Sequence, residues 1–403
     1  MIVKYVILPS GHCMSLQRPC LIAAGLPIMF HMLLTEPYYL FIFNLFIGIV
    51  LGSVFYRSDY CMAGMFRDVF LFGNHTMLRS LALLIAVSTV LFFTARQSGL
   101  IVLYPPPTYA YPSLATFIGG VIFGIGMIMA GGCVVGTLYK MAGGNLTSLI
   151  AFGGIIAGSL FYAESHKFWE SFRANTVIID QTFLFEEMPG AEAMIVVLLI
   201  IGLLMLSIKW KRQDKWNIEA YAEGYLQPWK AAVIIAVINV LAYIFSGWPI
   251  GITTAYAKTG AYIESLLFPS HLAKLAYFSQ DSVVASYAGN IISGGAGPRG
   301  DIISFTELPL AIGIVAGAFG TSVVLREFKI YGLPPKRQLM SALVGGMLIG
   351  LGTRIAKGCN IKFILGALPL FALQGIFFSI GIIAGTYIGV ILLKRLVFKM
   401  EGD

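Results

Sequence analysis

A glycine-rich apolar stretch ending in cysteine occurs twice in this chain, as GGVIFGIGMIMAGGC from Gly119 to Cys133 and as GGMLIGLGTRIAKGC from Gly345 to Cys359. A shift of 226 residues lays Gly119 on Gly345, Gly120 on Gly346, Gly124 on Gly350, Gly126 on Gly352 and Cys133 on Cys359. Further on, GIIAG at Gly154 returns at Gly381, now shifted by 227, so the copies stay in step with one insertion. Any fold for this chain must therefore be built from two related halves. Each half must also accommodate a helix whose glycines leave faces without side chains, where a partner backbone can approach.

Those halves belong in lipid. Of 403 residues, 58% are hydrophobic and only 11% are charged, with a mean hydropathy of +0.84; a water-soluble domain carries about 25% charged residues. Apolar runs of membrane-spanning length become helices, which satisfy their own backbone where water is absent. Spans are expected over 38–55, 78–95, 113–130 and 147–163, then over a connecting run at 191–208, and then over 229–247, 308–325, 338–354 and 373–393. The prediction is an all-α polytopic membrane protein: two inverted repeats of four spans each, with re-entrant half-helices, joined by one connecting span, about nine spans in all. Half-helices are expected at 56–70, holding Cys61, and after Gly131, with Cys133 near the tip. The plain aliphatic connector, including Leu203, is expected to face lipid. The domain division is 1–37, an interfacial or partly ordered N-terminal segment; 38–163, the first repeat; 164–228, a periplasmic linker, the connecting span and a basic cytoplasmic loop; and 229–403, the second, inverted repeat with a cytoplasmic tail.

Orientation follows from where Lys and Arg fall in short loops. The net charge of +8 gathers in the 209–230 loop, in the 326–337 turn and in the tail with Lys394, Arg395 and Lys399, whereas 164–190 is rich in Glu and Asp. With nine spans all three basic segments share one side, the cytoplasm, and the chain sits in the cell inner membrane with its C-terminus inside. Such charge in loops needs no nucleic-acid partner.

Five cysteines, Cys13, Cys20, Cys61, Cys133 and Cys359, include no C-x-x-C pair, so neither a zinc ribbon nor a thioredoxin motif is present. No metal and no cofactor is expected. Cys13 and Cys20 lie in the irregular N-terminal part and are taken as incidental thiols. A free cysteine ordinarily packs as a small apolar residue. Two of the remaining three, however, occupy equivalent repeat positions, and all three sit in the segments least suited to plain spans. A thiol there offers a weak donor and a polarizable acceptor, which suits a soft, sulfur-containing ligand. Basic residues accompany each: Arg57 and Arg67 flank Cys61, Lys140 follows Cys133, and Arg354, Lys357 and Lys362 surround Cys359. Buried basic groups mark substrate routes, while those near helix ends snorkel to the interface. Half-helix N-termini add partial positive charge and free N–H groups for an anion. In a duplicated membrane protein, a site is expected where the two halves meet. No histidine adjoins any of the three cysteines, and no nucleotide-binding loop is present.

The segments YRSDYCMAGMFRD, GGCVVGTLYKMAGGN and KGCNIKF resemble the three cysteine motifs of the YeeE/YedE family of bacterial membrane proteins, over roughly Tyr38 to Arg395. The resemblance implies a transporter, not an enzyme, that takes thiosulfate or a related sulfur-containing anion inward. Cys61, Cys133 and Cys359 would then serve as relay points for the ion. It also implies a small cytoplasmic sulfur carrier of the TusA type as a companion. The alternatives are a membrane sulfurtransferase that forms a cysteine persulfide, which would want an accessible low-pKa thiolate beside a base, and an exporter of another sulfur oxyanion. The second half departs from the pattern: GWPIGITTAYAKTGAY carries Thr253 and Thr254 where the first half has Cys61. Segment 271–306 and the first 37 residues match nothing in it. Finally, Gly119, Gly120, Gly124 and Gly126, with their copies Gly345, Gly346, Gly350 and Gly352, are expected to pack their two helices on each other, holding the Cys133 and Cys359 elements close together.

Overall fold

A chain that satisfies its backbone in lipid must do so within each segment, and the computed structural model is helical nearly throughout. It describes residues 37–398 apart from 102–103, 186–189, 214–215, 218, 220–223, 282, 288–289 and 331; residues 1–36, with Cys13 and Cys20, lie outside the described residues, as does the end of the tail. The first half comprises α1 (Pro37–Ser58), α2 (Met62–Phe72), α3 (Thr76–Gln97), α4 (Leu114–Ala130), α5 (Val134–Ala142) and α6 (Leu146–Asn175). The connector is α7 (Ala191–Arg212). The second half has α8 (Pro228–Ser246), α9 (Thr253–Leu267), the short α10 (Pro269–Leu272) and α11 (Ala276–Ser279), an antiparallel hairpin β1 (Val283–Tyr287) and β2 (Asn290–Gly294), then α12 (Ile302–Phe305), α13 (Glu307–Val324), α14 (Lys336–Ala356), a π-helical segment (Ile361–Ala367) and α15 (Leu373–Phe398). Among the described residues nine helical stretches are long and apolar enough to cross a membrane.

Three local expectations change. The half-helix expected at 56–70 begins only at Met62, with Cys61 as its N-cap rather than inside it. Residues 56–58 complete α1, and the break comes at Asp59, whose φ of 44° is left-handed. The fourth span does not stop at 163 but continues to Asn175, because Tyr162, Trp169 and Phe172 pack on a second cluster with Tyr277 and Phe278 and Arg173 donates to Ile355 O. The stretch between the spans expected at 229–247 and 308–325 contains the 15-residue α9. Its small residues Ala255, Ala257 and Ala261 are fully buried, and Gly260 lies against Ile156 and Leu160 of α6.

The connector is peripheral as expected: only 6% of its most apolar window is buried. Leu203 is nonetheless half-buried against the main core, while Leu204 and Met205 face outward.

Glycines carry the packing at the centre: four of the eight join α4 to α14, and the other four face other helices. Gly119 and Gly126 of α4 meet Gly352 and Gly345 of α14: a Cβ on Gly119 would lie 2.8 Å from Gly352 O, and one on Gly126 would lie 2.7 Å from Gly345 O. This order runs the two helices antiparallel. Gly120 and Gly124 face a different partner, the backbone of α15, with a Cβ landing 2.5 Å from Phe378 O and 2.6 Å from Ile382 O. Gly346 and Gly350 meet Ala151 and Ile155 of α6. The relation is reciprocal, since Ala151 and Ile155 stand 227 residues before Phe378 and Ile382. Each half thus clasps the last helix of the other.

The two ends of the bundle differ in charge. At one end Leu114 N–H donates to Thr176 O and Leu373 N–H to Thr182 O, and Lys357 pairs with Glu170 at 3.1 Å, which gathers the acidic linker there. At the other, Leu226 N–H donates to Arg57 O and Gly144 abuts the backbone of Lys329, which gathers the basic 209–230 and 326–337 segments.

Candidate functional site

Short helices that start inside the bundle leave their first N–H groups without intrahelical partners, and here those starts converge. Cys61 is the N-cap of α2 and Cys133 the N-cap of α5. Their sulfurs lie 3.9 Å apart, and each residue is only 2% exposed. The Gly136 N–H donates to Cys133 Sγ at 3.3 Å, and Met62 N–H also faces that sulfur. Gly136 makes room for the pair: a Cβ there would lie 2.6 Å from Cys61 Sγ.

The second half builds the counterpart. Cys359 is fully buried, and its thiol interacts with the N–H groups of Ile361 and Lys362 and with the Thr253 side chain at the start of α9. One half therefore presents two thiols at two helix starts, the other a thiol and a hydroxyl. Asn360 joins them, its Nδ2 donating to Met62 Sδ at 3.0 Å, and Tyr256 OH donates to Val134 O at 3.4 Å. The arrangement gathers weak S–H and O–H donors and helix-start N–H groups in a buried interior, chemistry that suits an anion whose outer atom is sulfur.

The six basic residues named from sequence separate into two groups. Arg354, Lys357 and Lys362 line one cavity of about 90 Å³ at the acidic-linker end, together with Tyr162, His166 and Glu307. It reaches Thr253 and Gly358, next to Cys359. Arg354 is 8% exposed; its Nη1 donates to Tyr277 OH at 3.1 Å, and its Nε has no partner. Lys362 donates to Thr108 O and Lys357 O at 2.9 and 3.0 Å. Arg57, Arg67 and Lys140 do not join this cavity. Arg57 donates to Gly224 O at 2.7 Å, Arg67 pairs with Asp68 at 2.8 Å, and Lys140 donates to Gly131 O at 3.2 Å. Lys140 stands within electrostatic reach of Cys61.

Among the described residues the space beside the thiol centre is small. The void lined by Tyr60, Met62, Cys133, Asn360 and Ile361 measures about 10 Å³, room for about one water. Passage of an ion requires these side chains to move. Among the described residues no group of three His, Cys, Asp or Glu side chains could hold a metal ion.

Sequence reasoning missed Gly136, Tyr256, Tyr277, Asn360 and Glu307. Two had a local signal, Gly136 by its spacing from Cys133 and Asn360 by following Cys359 directly. Tyr256, Tyr277 and Glu307 reach the site only through tertiary packing.

Comparison with known proteins shows the family. The sulphur-transport family profile matches residues 57–388. The chain is 29% identical over 337 residues to the thiosulfate transporter TsuA of Escherichia coli (strain K12), covering 79% of this chain and 84% of that protein. It is 25% identical over 358 residues to TsuA of Spirochaeta thermophila, covering 85% and 96%. A probable transporter, YedE of Escherichia coli (strain K12), matches over 168 residues at 29% identity, covering 41% of this chain and 40% of its own. With the motif cysteines gathered at helix starts and the match running through both halves, this chain belongs to the sulphur-transport family of membrane proteins.

Proposed function

We propose that this chain takes up thiosulfate, or a closely related sulfur-containing anion, across the cell inner membrane, with Cys61, Cys133 and Cys359 as relay points. The observation that carries the reading is the convergence of three buried thiols on the starts of short helices, with a basic cavity opening onto the Cys359 side of that centre. The anion enters among Arg354, Lys357 and Lys362, passes Cys359 and Thr253, and is handed to Cys133 and Cys61. Lys140, Arg57 and Arg67 then stand on the exit side. Thiols suit the task because an S–H group donates weakly to a soft anion, whereas a full positive charge at the centre would hold it.

In this reading the halves, 38–163 and 229–403, are inverted with respect to each other around the 164–228 linker. The reciprocal glycine packing supports that relation. The basic end faces the cytoplasm, so the C-terminus is inside and the cavity opens to the periplasm. A cytoplasmic sulfur carrier of the TusA type would receive the ion at the basic end. The names of the TsuA relatives support thiosulfate as the cargo.

The test is uptake of radiolabelled thiosulfate in cells lacking other routes, with sulfate and selenite as competitors. Thiosulfate-dependent accumulation that excess sulfate does not suppress is expected; no accumulation above the empty vector overturns the reading.

A further inference from the structure

A dianion entering a cell moves against the inside-negative potential, and each proton that accompanies it removes one charge from that cost. Resting on the transport reading above, the question is which group on the path carries that proton. Among the titratable side chains of the outer cavity, His166 already contacts Tyr162 OH and Gln280 Oε1 with its two ring nitrogens, and Glu170 is engaged by Arg173 and Lys357. Glu307 differs. It lines the same cavity, is 5% exposed, and among the described residues has no cation within ion-pair distance.

What holds Glu307 is the start of α9. Its Oε2 accepts the Ala255 N–H at 3.0 Å, the Thr254 N–H also faces the carboxylate, and Oε1 abuts Gly251. The carboxylate thus occupies the helix start that carries Thr253, beside the Cys359 thiol. In the first half the equivalent helix starts carry the thiols of Cys61 and Cys133, with Asp59 within electrostatic reach of Cys61. Charged and titratable groups face Glu307 from each neighbouring element that bears one: Tyr256 on α9, Cys359 and Lys362 at the π-helical segment, and Arg354 on α14. From α1 and α8 the neighbours are the uncharged Asn44 and Ser246. Arg354, moreover, keeps a buried Nε without a partner in this cavity.

We propose that Glu307 is the proton-binding site that couples anion entry to proton entry. Ionised, its carboxylate is a tethered anion that takes the N–H groups of Thr254 and Ala255 and repels the incoming ion. On binding a proton from the outer side it becomes a neutral carboxyl, and the N–H groups and the Arg354 guanidinium turn to the cargo. When the anion leaves toward Cys133, the proton leaves on the inner side and the carboxylate reclaims the helix start. One proton accompanies each anion through this residue, so that a net charge of −1 rather than −2 moves inward, and no electron moves.

The experiment uses the full chain in vesicles with the potential clamped at zero and thiosulfate as the probe. Wild-type protein is expected to accumulate thiosulfate about tenfold for each unit that the outside is more acidic, the ratio one coupled proton sustains, with matching proton entry on an internal dye. E307Q, fixed in the neutral form, is expected to exchange thiosulfate across vesicles of equal pH more slowly than wild type and to lose the accumulation. E307D, which keeps a carboxylate, is expected to retain it. E307Q accumulating as wild type does, or a sodium gradient driving uptake in place of the proton gradient, overturns the proposal. Wild-type vesicles that take up thiosulfate without proton entry overturn the coupling and leave the transport reading standing; vesicles that take up none overturn both. Should E307Q fail to fold, infrared difference spectra of wild-type protein decide: a protonated-carboxyl band appearing on thiosulfate binding is expected, and its absence refutes the assignment.

Discussion

Cys61 and Cys133 hold their sulfurs 3.9 Å apart, far beyond the roughly 2.05 Å of a disulfide yet close enough that two thiolates would repel each other and any arriving anion. As S–H donors the pair instead offers a dianion two weak contacts from neighbouring helix starts. Replacing Cys61, Cys133 or Cys359 singly by Ala is therefore expected to cut thiosulfate uptake at least about tenfold, the loss of roughly 1.4 kcal/mol of binding at the barrier. Cys13→Ala and Cys20→Ala should transport as wild type. Uptake assays with melting curves on each variant separate a lost contact from a lost fold. If one thiol alone mattered and a persulfide could be trapped on it, the relay would give way to a sulfurtransferase. These residues stand out in sequence by the repeat and by the unsuitability of their segments as spans. The 3.9 Å pairing does not, because it depends on Gly136 leaving space at Cys61 Sγ.

At the scale of helices, glycine decides which surfaces meet. Glycine inside a helix costs about 1 kcal/mol against alanine, and in lipid no hydrophobic force between helices offsets it, so close backbone contact must. Gly124 faces Ile382 O and Gly350 faces the Ile155 backbone, with no room for a Cβ at either. Gly124→Leu and Gly350→Leu are expected to destabilise the protein by at least the roughly 1–3 kcal/mol typical of overpacking and to lower uptake with it. Leu204→Ala and Met205→Ala on the outward side of α7 should stay within about 0.5 kcal/mol of wild type. Thermal melting in detergent and uptake check both; unchanged melting in the two leucine variants would remove these glycines from the seam. The presence of a seam could be read from the glycine periodicity, but its partners could not. Nothing in the spacing tells Gly120 and Gly124 to meet α15 while Gly119 and Gly126, on an adjoining face of the same helix, meet α14.

Across the whole molecule, charge separates the ends. The basic segments near Arg57 and Lys329 lie opposite the acidic linker near Glu170 and Thr182, and short basic loops remain cytoplasmic during insertion. A reporter fused after Met400 is expected to signal cytoplasm and one inserted near Asp180 periplasm. Both signals from one side would dismantle the inverted arrangement and with it the path from the basic cavity inward. The central void of roughly 10 Å³ has room for about one water in this conformation, so the proposed passage calls for the side chains around the thiols to move.

Composition, the 226-residue duplication and the three cysteine motifs determined the membrane class, the helical spans, the family and the residues of interest, because backbone satisfaction in lipid and helix-length apolar runs are local constraints that sequence states directly. Tertiary structure alone decided the rest. It put Cys61 at a helix start by a left-handed turn at Asp59, lengthened α6 to Asn175 by packing on a distant cluster, sent Arg57, Arg67 and Lys140 away from the cavity that Arg354, Lys357 and Lys362 share, and set Glu307 on the α9 helix start. Most of these outcomes rest on contacts between residues far apart in the chain, and such contacts leave no periodicity or spacing for a sequence to display.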